Sequence, residues 1–334
     1  MKNAVRGLIL GGAIALGASL IGQAAYAQDA VDLKMASFNV GGSWYIYATA
    51  ISDVAQKALP RGSRVEVLPY QGGVGNPILV NRGDADLGLS FSALSNWAYN
   101  GKVTFKEEHK DIRALFGGLN HPHRLGIVVR SDSGIDSLAD LNSKKARLVT
   151  VQRGGAGEAL AQMAFEAYGM TYEDVVKAGG RVTHVDLPVA IQQMRDGQAD
   201  VFIHNIGYRQ PDVMELALSG KVKFIALGDK QMAELQSKYG LLGGLSIEPD
   251  EFGGVEATVP SVGYPTGVIA NAGMPEDVAY AITKGIIENA DQVRNAHASL
   301  AAFDPAKAGE AAVNGNVPLH PGAERYYREA GLIE

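Results

Sequence analysis

Apolar positions along the chain fall into short strand-length runs separated by amphipathic stretches, and one order of runs occurs twice. From Leu33 to Val40 apolar and polar residues alternate, Gly41-Gly42 interrupt them, and the apolar spacing from about Trp44 to Leu59 predicts a helix. The second copy opens with Ala146-Arg147-Leu148-Val149-Thr150-Val151, passes Gly154-Gly155, and continues as a helical pattern from about Glu158 to Tyr168. Each copy later carries a helix ending in a Gly-x-Ala-Asp turn, Gly83-Asp84-Ala85-Asp86 and Gly197-Gln198-Ala199-Asp200, where glycine is the usual left-handed cap. Each turn leads into an apolar strand-length run, Leu87 to Ser90 and Val201 to His204. The span from Gly42 to Gly83 is 83 − 42 = 41 residues and that from Gly155 to Gly197 is 197 − 155 = 42. Equal spacing of unlike sequences predicts two halves of similar topology.

Strands alternating with helices imply parallel sheets covered on both faces. The expected fold is therefore α/β and two-lobed, of the periplasmic-binding type II kind, with a double-crossing hinge. Arg124 to Arg130 is expected to carry the chain from the first lobe to the second, and Tyr264 to Ala270 to bring it back. A helix opened by Pro275, with Val278, Ile282 and Ile286 at helical spacing, is expected to repack on the first lobe. Residues 28–124 with 264–334 would form one lobe and 125–263 the other. The glycine-rich stretch from Gly228 to Pro260 lacks a clean period and is expected to be a loop insertion with some helix.

The first residues add a location. Lys2 and Arg6, the apolar stretch Leu8 to Ile21 and Ala25-Tyr26-Ala27 form a secretory leader, too short to anchor in a membrane, with cleavage expected after Ala27. That would leave 334 − 27 = 307 residues, enough for two lobes. The absence of cysteine excludes disulfides, thiolate metal sites and a lipidated cysteine anchor. A net charge of −6, with Lys and Arg scattered, leaves no footprint for nucleic acid or anionic lipid. A soluble monomer in the periplasm is the expectation.

In open α/β sheets ligands sit beyond the carboxyl ends of the strands, where helix N-termini present backbone N–H groups without partners. Gly41-Gly42 and Gly154-Gly155 would face each other there, letting the backbone approach an anion such as a carboxylate. Arg153, ahead of the second glycine pair, could fork onto that carboxylate. Ser90 and Ser92 follow a buried strand, and His204-Asn205 hold the equivalent place in the second lobe. Trp44 and Tyr45, in a first helical turn, could stack on the guest or simply pack. His121-Pro122-His123 lacks a third metal ligand. Gly155-Ala156-Gly157 lacks the third glycine of a dinucleotide loop, which Leu160 replaces. No nucleophile elbow, zinc helix or phosphate loop occurs, so neither catalysis nor a cofactor is expected.

Several of these residues carry a family resemblance. Asn39-Val40-Gly41-Gly42-Ser43-Trp44-Tyr45, Gln71-Gly72-Gly73-Val74-Gly75-Asn76 and Gly83-Asp84-Ala85-Asp86-Leu87 resemble the TAXI family of TRAP-transporter solute receptors. Pro318-Leu319-His320-Pro321-Gly322-Ala323, with Tyr326-Tyr327-Arg328-Glu329-Ala330-Gly331, is similar to that family's closing signature. The resemblance implies a periplasmic receptor that hands a small organic anion, often glutamate-like or a dicarboxylate, to a membrane permease. Mapped onto this chain it adds Gly42, Ser43, Gly73, Asn76, Gly155, Ala156 and Gly157 to Trp44, Tyr45, Ser90, Ser92, Arg153, His204 and Asn205 as substrate-binding candidates. The chain departs from the family where Gly73 lacks a hydroxyl, where Phe91-Ser92-Ala93 replaces Gln-Ser-Asp, and where Ala156-Gly157-Glu158 replaces Ser-Gly-Thr. Those losses favour a carboxylate without an amino group, its body against Trp44 or Phe91. The alternative from another class is a periplasmic sensing module that reports to a membrane receptor; an exported enzyme on the same scaffold is a third.

Overall fold

The computed structural model describes residues 29–38, 40, 43–70, 72–253 and 255–334; the expected leader and Gly41-Gly42 lie outside them. The chain begins with β1 (Asp32–Ala36), α1 (Ser43–Ala58), β2 (Arg64–Leu68), α2 (Gly75–Arg82), β3 (Leu87–Phe91), α3 (Ser92–Tyr99) and β4 (Ile112–Phe116). It continues through β5 (His123–Arg130), β6 (Arg147–Val151), α4 (Ala156–Ala167), α5 (Tyr172–Lys177), β7 (Arg181–Val185), α6 (Leu187–Arg195), β8 (Val201–Ile206), α7 (Pro211–Leu218) and β9 (Val222–Ile225). Then follow α8 (Asp229–Tyr239), β10 (Leu242–Ile247), β11 (Val259–Tyr264), β12 (Thr266–Asn271), α9 (Glu276–Glu288), α10 (Ala290–Arg294) and α11 (Pro321–Glu329).

Two sheets result. The first has the order β2-β1-β3-β12-β4, and the second β10-β11-β5-β8-β6-β7 with β9 also paired to β5. The duplicated pattern appears as duplicated topology: β1 pairs in parallel with β2 and β3, and β6 in parallel with β7 and β8. The two Gly-x-Ala-Asp turns do the same work in each sheet. Gly83 and Gly197 take left-handed φ values of 74° and 68°, and Ala85 and Ala199 are buried. Asp86 Oδ2 accepts from the Lys34 N–H at 2.7 Å, and Asp200 Oδ2 from the Arg147 N–H at 2.8 Å, so each aspartate clasps the neighbouring parallel strand, at the middle of β1 and at the start of β6.

The sheets are mixed rather than parallel, which corrects the expectation. β12 runs antiparallel to β3 and β4, and β5 antiparallel to β8, because each enters its sheet from the junction between the halves rather than through a helical crossover. β5 lies wholly in the second sheet and β12 wholly in the first, so the chain changes sheet within residues 117–122 and at Pro265. Pro265 cannot donate to a ladder and separates β11 from β12. The stretch expected as a loop insertion is instead α8 followed by β10. Only Leu235 and Tyr239 of α8 are buried, so its apolar stripe is thin. The β10 register shifts between Leu242 and Leu245, where Gly244 has φ +68°, which breaks the alternation a strand would show.

α9 returns onto the first half as its spacing predicts, burying Val278, Ile282 and Ile286. Gly285 permits the approach to α1, since a Cβ there would lie 2.5 Å from the Ala58 Cβ. The closing signature is architectural: His320 Nδ1 caps α11 through the Gly322 N–H at 3.3 Å, and the Tyr327 hydroxyl donates to Leu115 O at 3.1 Å. In the second half, Arg124 and Glu251 form a buried bidentate pair at 2.5 and 2.6 Å, which ties the β10–β11 edge to β5.

Candidate functional site

The carboxyl ends of β1, β2 and β3 feed α1, α2 and α3 in the first half, and that of β6 feeds α4 in the second. The N-cap of α4 is Gly155, which has no side-chain acceptor, so the first-turn N–H groups project from the helix tip uncapped. Facing that tip is the glycine loop of the first half. A Cβ on Gly73 would lie 3.1 Å from Ala156 N and 3.7 Å from Gly155 Cα. The two halves therefore meet through a gap that suits a glycine. Gly72 and Gly73 have φ of +62° and +50°, and a Cβ on Gly72 would meet the Phe38 ring at 2.9 Å.

Below this contact lies an aromatic floor. Phe91 packs against Trp44, Tyr264 and His123 with ring centroids 4.4, 4.5 and 4.9 Å apart. Trp44 Nε1 donates to Thr266 Oγ1 at 3.2 Å, the Thr266 N–H donates to Asn120 Oδ1 at 2.9 Å, and Asn120 Nδ2 lies 3.2 Å from His123 Nδ1. Asn120 thus presents its amide N–H₂ to His123, whose Nδ1 accepts. Burial lowers the His123 pKa to about 3, with Arg124 and His204 adding to the shift. Burial alone lowers His204 to about 4. Both imidazoles are therefore neutral near pH 7. The Tyr264 hydroxyl, pushed up by burial, has no hydrogen-bond partner among the described residues, and neither has His204 Nδ1.

Gly157 joins α4 to the second-half strand ends. A Cβ there would fall 2.2 Å from His204 Nδ1 and 2.9 Å from Asn205 Oδ1, so only glycine lets β8 approach the first turn of the helix. Ser43 and Tyr45 are half-buried on the first turn of α1, whereas Trp44 is buried. Arg153 is exposed in the loop leading to α4, and Ala156 is buried against the Gly73 loop. Gly42 lies outside the described residues.

Three candidates are placed inside the scaffold rather than on an open wall. Asn76 is fully buried, and its Nδ2 donates to Ser37 O at 3.2 Å and Leu89 O at 2.9 Å, bridging the ends of β1 and β3. The Ser90 hydroxyl accepts from Ser95 Oγ at 2.7 Å, and Ser92 is tied through its N–H to Pro265 O at 3.0 Å. Sequence reasoning missed Asn120, Tyr264 and Thr266, which flank the two changeovers. The polar residues bordering the expected crossings were the available signal. The two histidines of His121-Pro122-His123 are spent separately, His121 stacking on Tyr208 at 4.3 Å and His123 entering the floor. No cluster of three or more His, Cys, Asp or Glu among the described residues could hold a metal.

Farther along α4 a cavity of 240 Å³ separates Ala159, Met163 and Glu166 from Val103 and Thr104 of the first half. Among the described residues no helix is long and apolar enough to cross a membrane.

Two similar α/β halves joined by two changeovers make this the fold of two-lobed periplasmic solute-binding proteins. Residues 35–331 match the model of the NMT1-like family, and the chain belongs to that family. Among solved structures it is similar to MatC of Rhodopseudomonas palustris with bound malate, at 15% identity and TM-score 0.55 over 91% of this chain and 99% of MatC. It is also similar to XAC2383 of Xanthomonas citri bound to chloride ion, at 14% identity and TM-score 0.50 over 90% and 97%. A TctC solute binding protein from Polaromonas aligns at 16% identity and TM-score 0.47 over 92% and 100%. At these identities the likeness is one of fold.

Proposed function

We propose that the protein is the extracytoplasmic solute receptor of a TAXI-type TRAP transporter, capturing a small organic anion between its halves and presenting it to a membrane permease. The observation that carries this is the meeting of Gly73 from the first half with the uncapped tip of α4 from the second. An anion at that tip would receive backbone N–H donors and the helix dipole, with Arg153 at the rim and the Trp44–Phe91 pair beneath. The binding proteins among the structures with this fold, and the secretory pattern of residues 1–27, support a periplasmic location after cleavage at Ala27. The lobes divide at the two changeovers, so the chain ahead of residues 117–122 with the chain from Pro265 onward acts as one lobe and His123 to Tyr264 as the other. The protein works as a monomer and as a binding protein rather than an enzyme, a reading supported by the binding proteins among the structures with this fold.

The test is thermal-shift screening of organic acids on the mature chain, freed of co-purifying ligand by unfolding and refolding, followed by small-angle scattering. Specific ligand should raise the melting temperature and reduce the radius of gyration as the halves close. If no organic anion does either, the proposal fails.

A further inference from the structure

The cleft has little positive charge to offer, and this limits its guest. Arg124, beside the floor on β5, spends its two terminal guanidinium nitrogens on Glu251 and Ser246 O, with Nε alone left without a partner among the described residues. Arg209, in the loop after β8, pairs with Asp250 at 3.4 Å. Arg153, exposed two residues before the Gly155 cap of α4, makes no ion pair among the described residues. The two imidazoles of the floor, His123 and His204, are held neutral by burial. Against this stands Glu158, a buried carboxylate on the first turn of α4 that takes a hydrogen bond from Gln162 and has no cationic partner among the described residues. It already uses part of the favourable field of the helix end. The remaining positive field, one guanidinium and the helix tip, balances one negative charge.

The rest of the wall is apolar with isolated polar points. Trp44 and Phe91 are 6% and 4% exposed, and neither Ala93, two residues after Phe91, nor Ala156, at the start of α4, has a polar side-chain atom. The buried polar atoms without partners among the described residues include the hydroxyl of Tyr264, whose ring packs on Phe91, His204 Nδ1, which lies against Gly157 in the first turn of α4, and Oδ1 of the candidate Asn76. Buried polar atoms in native proteins are paired in the great majority, so an orphan on the aromatic floor and another against the first turn of α4 are points where a ligand group can complete the bonding.

Taking the receptor function above as given, we propose that the cleft selects an organic acid of single negative charge with an apolar or aromatic body and one hydrogen-bonding substituent, and rejects dicarboxylates. The acid group sits at the α4 tip near Arg153, the body lies on Trp44 and Phe91, and the substituent meets His204 and Tyr264. A second carboxylate would meet no further free cation among the described residues of the wall and be repelled by Glu158.

The experiment uses matched acids on the ligand-free mature chain by calorimetric titration: hexanoate against adipate, and 3-phenylpropanoate against phenylsuccinate. Each monoacid should bind at least tenfold more tightly than its diacid partner. Glu158→Gln, which keeps shape and removes charge, should shrink that ratio severalfold by improving the diacid. Arg153→Gln should weaken the monoacid at least tenfold. If the diacids bind as well as the monoacids or better, the single-charge inference is overturned while the receptor function stands. A mono-to-diacid ratio unmoved in Glu158→Gln also overturns it. If neither class binds, while both variants and the parent melt cooperatively, the organic-anion receptor function falls with it.

Discussion

Replacing Gly157 with alanine tests the contact on which the second-half wall depends. The new Cβ would lie 2.2 Å from His204 Nδ1, 3.0 Å from its Cε1 and 2.9 Å from Asn205 Oδ1. To regain an ordinary contact the imidazole would have to retreat by roughly 1 Å. Its retreat is limited, because it stacks on the buried Phe202 ring at 5.5 Å with the planes 24° apart. Overpacking of this kind costs about 1–3 kcal/mol. Alanine in place of glycine within a helix returns at most about 1 kcal/mol. The net effect should therefore be a loss of roughly 1–2 kcal/mol, since the steric cost exceeds the propensity gain. Urea denaturation of Gly157→Ala, His204→Ala and the double variant forms a cycle that isolates the contact. With the imidazole gone, only the 2.9 Å contact with Asn205 Oδ1, the end of a side chain that can turn aside, opposes the helix gain, and Gly157→Ala should become close to neutral. A Gly157→Ala protein as stable as the parent, or one whose loss is the same without His204, would refute the steric account.

Three further outcomes follow from the same geometry. Gly73→Ala places a side chain at φ +50° and against Ala156 N, so it should disfavour the closed arrangement and weaken ligand binding about tenfold, roughly 1.4 kcal/mol; titration calorimetry with scattering checks both. Glu251→Gln leaves Arg124 buried without its counter-charge and should cost about 3–5 kcal/mol in chemical denaturation, whereas a loss under about 1 kcal/mol would show the pair to be unimportant. Acidification should destabilise the fold through His123 and His204. Above their ordinary value of 6.5 both states are neutral; below it the unfolded chain binds protons that the folded one refuses until about pH 4 for His204 and about pH 3 for His123. Stability should thus fall by about 1.4 kcal/mol per pH unit for each histidine as pH drops below 6.5. Urea titrations at pH 7 and pH 5 read this, and His204→Asn should reduce the slope; an unchanged slope would remove His204 as a cause.

Much of the architecture could be read from local pattern because its causes are local. A glycine cap, a buried alanine and an aspartate at the start of a strand act within a few residues of one another or on the neighbouring parallel strand. Asp86 and Asp200 therefore carry the same signature and make the same hydrogen bond. Helix ends fell within two residues of expectation for α1 and α4, whose apolar stripes are continuous. Strand direction was less legible, because a buried run such as Leu125 to Val129 looks the same in either orientation. β10 was hidden by its bulge, and α8 by its thin stripe.

The candidate site divides along the same line. Periodicity and glycine placement along the chain were sufficient to find two α/β units with helix tips at corresponding ends, since backbone conformation and amphipathic spacing are properties of neighbouring residues. Which groups meet was set by packing between segments far apart in sequence. Thr266 receives the indole N–H of Trp44 from 222 positions away, and Gly157 must be glycine because of His204 on another element. Asn76 looks like a ligand contact in its motif; in the structure its Nδ2 clamps Ser37 O to Leu89 O, while its Oδ1 has no partner among the described residues. Whether a polar side chain faces a cleft or satisfies a buried carbonyl depends on where the two halves bring their backbones together, and no short-range pattern records that.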